Sequence, residues 1–287
     1  MTFSRRRCLQ RAGLASLSVA ALGLPRGVAA QVATPVATPI AAPIAAQAGP
    51  GQARSLPSII AAIKPSVLPV GTYNATDSPR FSFRGTGFVV ADGTLVATNF
   101  HVLPSPADLE TGPALMVMVS RSGDQGILRR VRVAATDRQR DLALLKLEGP
   151  PLQPLQLEDP GAVREGQSIA LMGFPIGGTL GFSAVTHRGI VASMTTSALP
   201  AATAQTLDPR VVRRLREGSN LDVLQLDATA YPGNSGGPVF DADSGRVLGI
   251  VNKVLVQSTR ESALTNPTGI TYAVPVRYLM DLLKEVR

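Results

Sequence analysis

Apolar residues gather in short runs that repeat from Phe83 to Val274, with glycine, proline, asparagine and aspartate between them. The runs are Phe83–Val90, Leu95–Thr98, Leu115–Val119, Val131–Ala134, Leu142–Leu147, Ser168–Met172, Val185–Ala192, Leu221–Asp227, Pro238–Phe240, Val247–Val256 and Ile270–Val274. Many short strands punctuated by turn formers predict a sandwich or a barrel. Helices are expected in three places only. Leu56–Ile63 predicts a short helix that ends at Lys64-Pro65, because proline disfavours helix at the residue before it. Val276–Val286 predicts a closing helix. Between them, Asp208 as N-cap with Pro209 in the first helical position predicts a short basic helix toward Arg216.

The pattern changes at the N-terminus. Residues 1–30 carry Ser4-Arg-Arg-Arg, then an apolar stretch from Ala12 to Leu24, then Val28-Ala-Ala30. A positive start, a short apolar middle and a small-residue end predict an export signal, with a twin-arginine-like arrangement. An uncleaved anchor is the alternative. Residues 31–54 are rich in alanine, proline and threonine, which predicts an extended tether. Residues 55–287 then suffice for one all-β domain.

Composition narrows the chemistry. The single cysteine, Cys8, lies inside the export signal, so disulfides and thiol chemistry are not expected of the mature chain. Removing residues 1–30 takes away five arginines and no acid, which lowers the formal charge from +8 to +3. So modest an excess gives no reason to expect nucleic acid as a partner. The only two histidines, His101 and His187, are far apart and have no cysteine to join them, which makes a poor zinc site. No metal and no cofactor are expected.

The segment Tyr231-Pro-Gly-Asn-Ser-Gly-Gly-Pro-Val239 carries the candidate chemistry. Its glycines adopt backbone angles that other residues resist, so the turn can present Ser235 and aim the N–H groups of Gly233 and Ser235 at one point. Two converging donors beside a nucleophile suit an oxyanion. Read alone, the segment is equally a tight loop. A serine nucleophile needs a base and a group to orient that base. His101 ends an apolar run at a turn and is the candidate base, whereas His187 alternates within a strand-like run. Asp141, at the mouth of Asp141-Leu-Ala-Leu-Leu-Lys-Leu147, is the candidate orienting carboxylate. Asp137 sits among Arg138, Gln139 and Arg140 and reads as a solvated loop residue. The order His101, Asp141, Ser235 matches the chymotrypsin architecture and not the orders of subtilisin-like or α/β-hydrolase enzymes.

With these residues in place, the chain resembles the HtrA (DegP-like) group of chymotrypsin-fold serine proteases. The resemblance rests on Gly85-Thr-Gly-Phe-Val-Val90, Ala97-Thr-Asn-Phe-His-Val102, Asp141–Lys146, Met172-Gly-Phe-Pro-Ile-Gly177, Gly189-Ile-Val191, Asp227–Val239 and Gly269-Ile-Thr-Tyr-Ala-Val-Pro-Val276. These span most of residues 58–280 in the family's order. The resemblance implies an all-β protein of two six-stranded antiparallel barrels, at about 66–150 and 160–275, with a C-terminal helix at 276–286. Glu148–Leu155 would cross between them, and the active site would lie in the cleft. It further implies a His101–Asp141–Ser235 triad with Gly233 and Ser235 as oxyanion donors. The expected activity is that of a serine endopeptidase acting on unfolded or partly folded polypeptides. The alternative is a catalytically silent or latent member that binds peptides or partners.

Departures from the family pattern carry their own expectations. Relatives usually continue into PDZ domains, whereas this chain stops at Arg287, and no tethered PDZ domain is expected. Asn234 stands where pancreatic-type enzymes use an aspartate to pair a newly cut N-terminus, so that activation route is not expected. Thr229, six residues before Ser235, would form the base of the substrate pocket, with Ile250, Val251 and Asn252 on its wall. An uncharged base gives no reason to expect Lys or Arg before the cut; the resemblance implies small or medium apolar side chains there, while Lys253 would instead favour an acidic one. The segment 195–220 corresponds to a region that relays activating signals in relatives. It reads here as a solvated basic helix, or else as a loop ordered by an acidic partner or a second subunit. Location in the periplasm or outside a bacterial cell, and assembly as a trimer, are what the family implies.

Overall fold

The computed structural model describes residues 54–105, 107–108, 112–119, 126–175, 181–197, 221–252 and 270–286, all within the unit Gly49–Arg287. The expected export signal, the tether, the basic helix after Asp208 and Lys253 lie outside these residues. Helix α1 (Leu56–Ile63) runs into a 3₁₀ turn at Lys64–Ser66. Six strands follow: β1 (Val67–Tyr73), β2 (Phe81–Val90), β3 (Leu95–Thr98), β4 (Ala114–Val119), β5 (Ile127–Asp137) and β6 (Leu142–Leu147). They close into an antiparallel barrel in the order β1-β2-β3-β6-β5-β4. A second closed barrel, β10-β11-β12-β9-β8-β7, is built from β7 (Ser168–Gly173), β8 (Val185–Ser197), β9 (Leu221–Asp227), β10 (Pro238–Asp241), β11 (Val247–Asn252) and β12 (Ile270–Pro275). Helix α2 (Val276–Lys284) follows directly.

Closure explains the unbroken apolar runs. A strand buried on both faces has no polar side to alternate with. In β6, Ala143, Leu145 and Leu147 fill the interior of the first barrel, while Leu142 and Leu144 face a shared core between the barrels. Strand β7 does the same, with Ile169 and Leu171 inside the second barrel and Ala170 and Met172 in the shared core. That shared core also takes Ile59 and Ile63 of α1 and Leu279, Leu282 and Leu283 of α2. The two barrels and both helices therefore bury one continuous surface.

The strand pattern foretells all but one of these elements. Strand β1 escapes it, because Pro69 and Gly71 interrupt its apolar run. The strand tolerates both: Pro69 pairs in register with Thr86, and the register shifts between Val70 and Gly71. Helix α2 ends at Lys284, two residues short of the expected Val286.

Candidate active site

His101 sits on a 3₁₀ turn, Phe100–Val102, that follows β3. The turn is tied to the head of β6. Phe100 N–H and Asn99 Nδ2 both donate to Asp141 O, at 3.1 and 2.9 Å. His101 N–H donates to Asp141 Oδ1 at 2.8 Å, and His101 Nδ1 lies 2.6 Å from Asp141 Oδ2. Asp141 adopts a left-handed backbone, φ 55, which aspartate tolerates better than most residues. Such a conformation costs about 1–3 kcal/mol and persists where its surroundings hold it, as these four contacts do. On the far side, Arg84 of β2 donates from Nε to Val102 O at 2.7 Å and from Nη2 to Leu103 O at 2.9 Å. The imidazole is thus fixed by two elements, with a third of its side chain open to solvent.

Ser235 comes from the other barrel. Asn234 N–H donates to Tyr231 O at 3.0 Å, closing a turn with Pro232 second and Gly233 third at φ 102. Proline followed by a positive-φ glycine is the signature of a type II turn. A side chain at Gly233 would put its Cβ 2.2 Å from Phe174 O, so glycine is required twice over. Gly237 N–H then donates to Asn234 O at 2.9 Å, and Gly236 has φ 85. The paired turns are pinned to the first barrel through Thr86 of β2. Its N–H donates to Ser235 O at 2.9 Å and its hydroxyl to Gly233 O at 2.7 Å. Since β2 pairs with β3, which leads into the His101 turn, one strand locates both the histidine and the serine.

The sequence profile of the trypsin-like peptidase domain matches residues 85–250, which hold all three of these residues. The chain belongs to the trypsin-like peptidase family. Its curated relatives include a probable periplasmic serine endoprotease, DegP-like, of Pseudomonas fluorescens, 26% identical over 203 residues, or 71% of this chain and 35% of the relative. Another of the same description, from Marinomonas sp., is 29% identical over 222 residues, or 76% of this chain and 39% of the relative. The chain therefore spans a little over a third of the length of those proteins. Among solved structures, the HtrA-type protease AlgW with decapeptide superposes with a TM-score of 0.59 at 19% identity, covering 81% of this chain and 67% of that one. The pair of closed barrels is the chymotrypsin-type fold.

The structure places other predicted residues differently. The side chains of Ile250 and Val251 are fully buried, Ile250 in the shared core and Val251 inside the second barrel. Both faces of β11 are covered, so only its backbone is left for a pocket wall. Asn252 was expected on that wall, but its side chain turns to Asp141: Nδ2 donates to Asp141 Oδ2 at 3.0 Å, across the seam between barrels. That expectation rested on the family resemblance, and nothing in the sequence pointed to Asp141. Thr229 is half-buried, one residue past Ala228, whose carbonyl accepts from Thr271 Oγ1.

Neither decoy is idle. Asp137 is less solvated than its neighbours suggested: its carboxylate accepts from the N–H groups of Gln139 and Arg140, both at 3.0 Å, and pairs with Arg140 Nη1 at 2.6 Å. It caps the turn that delivers Asp141. His187 lies on β8 with its ring 5.5 Å from that of Tyr231, the first residue of the serine turn. Burial pulls its pKa down, and its Nε2 has no hydrogen-bond partner among the described residues. Among those residues no three histidine, cysteine or acidic side chains group as a metal site, and no helix is long and apolar enough to cross a membrane.

Proposed function

We propose that this protein is a serine endopeptidase in which Ser235 attacks, His101 accepts its proton and Asp141 orients and stabilises the imidazolium. The observation that carries the reading is the contact of His101 Nδ1 with Asp141 Oδ2 at 2.6 Å, in the barrel to which Thr86 ties Ser235. The N–H groups of Gly233 and Ser235 hold the tetrahedral oxyanion. His101 then protonates the leaving amine, and water releases the acyl-enzyme by the same path. Asn252 supplies a further donor to Asp141 and keeps the carboxylate facing the ring. No cofactor enters the cycle.

Its substrates are unfolded or partly folded polypeptides, since an extended chain can lie along the cleft between barrels. An uncharged Thr229 at the pocket base favours small or medium apolar side chains before the cut. The chain acts after export, in the periplasm or outside a bacterial cell, with residues 1–30 as the signal and 31–54 as the tether. The periplasmic naming of the DegP-like relatives supports this setting, and assembly as a trimer is what the resemblance to the HtrA group implies.

The test is cleavage of unfolded casein by the chain from residue 31 onward, beside its Ser235→Ala variant. Cleavage that disappears in the variant is the expected result. If neither protein cuts and a fluorophosphonate fails to label Ser235, the reading is wrong. Labelling without cleavage would mean a competent site held in check.

A further inference from the structure

Four of the chain's eight phenylalanines meet at the seam between the barrels, and the chemistry above uses none of them. Phe81 and Phe83 belong to β2, Phe174 follows β7, and Phe182 precedes β8. Phe182 is central, with its ring centroid 5.6 Å from Phe81, 5.8 Å from Phe83 and 6.5 Å from Phe174. Such spacings and steep interplanar angles suit the quadrupoles of aromatic rings. Phe174 is only 4% exposed, but Phe81, Phe83 and Phe182 are each half-buried. Ordinary packing would bury all four. Instead apolar ring surface stays in reach of solvent beside the serine turn, where Phe83 Cε1 comes within 3.1 Å of where a Cβ on Gly233 would stand.

The position relative to Ser235 tells which half of a substrate this surface meets. On one side β11 runs alongside, with Gly236 N–H donating to Val251 O and Val251 N–H to Gly237 O, both at 2.9 Å. On the other side runs β2, where Arg84 clasps the two carbonyls after His101 and Thr86 holds Ser235. His101 must reach the departing amine to protonate it, so the leaving half passes on the β2 side. Phe83 is the next residue along that strand.

We propose that Phe83 and Phe182, backed by Phe81 and Phe174, form an apolar subsite for the residues just after the scissile bond, selecting large aliphatic or aromatic side chains. This rests on the reading of Ser235 as nucleophile. Such side chains are buried in folded proteins and exposed in unfolded ones, so the subsite gives a direct physical reason for preferring unfolded substrates. A carboxylate there would lose its water against the rings without compensation.

The experiment uses quenched peptides that differ only in the residue after the cut: Phe, Leu, Ala or Asp. The expected kcat/KM for Phe and Leu exceeds that for Ala by about tenfold, with Asp lowest. Phe182→Ala is expected to bring the Phe-to-Ala ratio close to one, and a ratio cancels any general loss of activity. Should that variant fail to fold, Phe182→Leu is expected to narrow the preference for Phe over Leu. A flat profile in the unaltered protein, or a ratio that Phe182 variants leave unchanged, overturns the subsite. If no peptide is cut at all, fluorophosphonate labelling of Ser235 judges the nucleophile reading, which fails if the serine is not labelled. The subsite is then judged by fluorescence anisotropy of the same peptides on Ser235→Ala: tighter binding of Phe than Ala supports it, and equal binding overturns it.

Discussion

Asp141 accepts three side-chain or backbone donors through one carboxylate, and each comes with a different cost of removal. Asn252 Nδ2 bonds the same oxygen that His101 Nδ1 approaches, and Asn252 is itself only 3% exposed. A hydrogen bond to a charged group is worth about 1.5–3 kcal/mol. Asn252→Ala is therefore expected to lower kcat roughly tenfold or more while KM changes little, with Asn252→Thr recovering part of it; steady-state kinetics on one peptide check this. His187 makes a separate prediction about stability. Burial lowers its pKa in the folded state below the ordinary value of about 6.5. The unfolded chain then binds this proton first, so the contribution to stability is whole above that value and is lost as pH falls through it toward the folded pKa. His187→Leu also removes the unpartnered Nε2. Its melting temperature is expected to drop less between pH 7.5 and pH 5 than that of the unaltered protein, as thermal unfolding at the two pH values would report.

Strand β2 is the element on which the site depends most. It pairs with β3, which ends at the His101 turn, and through Thr86 it holds the serine loop of the opposite barrel. Thr86 is fully buried, and its hydroxyl both donates to Gly233 O and accepts from Phe174 N–H at 3.2 Å. Replacing it by valine preserves shape but leaves two buried backbone groups unpaired, at about 1–3 kcal/mol each. Thr86→Val is expected to lower the melting temperature by several degrees and, more sharply, to lower kcat, because the loop that carries Ser235 loses its tie. A melting change without a change in kcat would refute the positioning role. The run Phe83–Val90 was legible as a strand from its apolar residues. Its role as a bridge was not, because hydrogen bonds between barrels leave no periodic trace in either partner.

At the scale of the whole molecule, α2 joins what the barrels would otherwise keep apart. Leu279 is fully buried in the core shared by both barrels, and Tyr278 lies between Arg140 and Arg277, whose guanidinium carbons sit 4.5 and 4.8 Å from its ring centroid. Arg140 immediately precedes Asp141, so the helix also braces the turn that carries Asp141. Leu279→Ala is expected to cost about 2–5 kcal/mol and to lower a single unfolding transition without splitting it, since both barrels lose the same core. Calorimetry showing two transitions would contradict a shared core. Eleven of the twelve strands and both helices at the ends of the domain could be read from the chain, and His101, Asp141 and Ser235 could be singled out as candidates, because local propensity and a motif's glycines act over a few residues. The interior placement of Ile250 and Val251, the turn of Asn252 toward Asp141, and the gathering of four phenylalanines at the seam could not. Each depends on which face a strand presents once a barrel has closed and a second barrel has packed against it, and only the tertiary structure decides that.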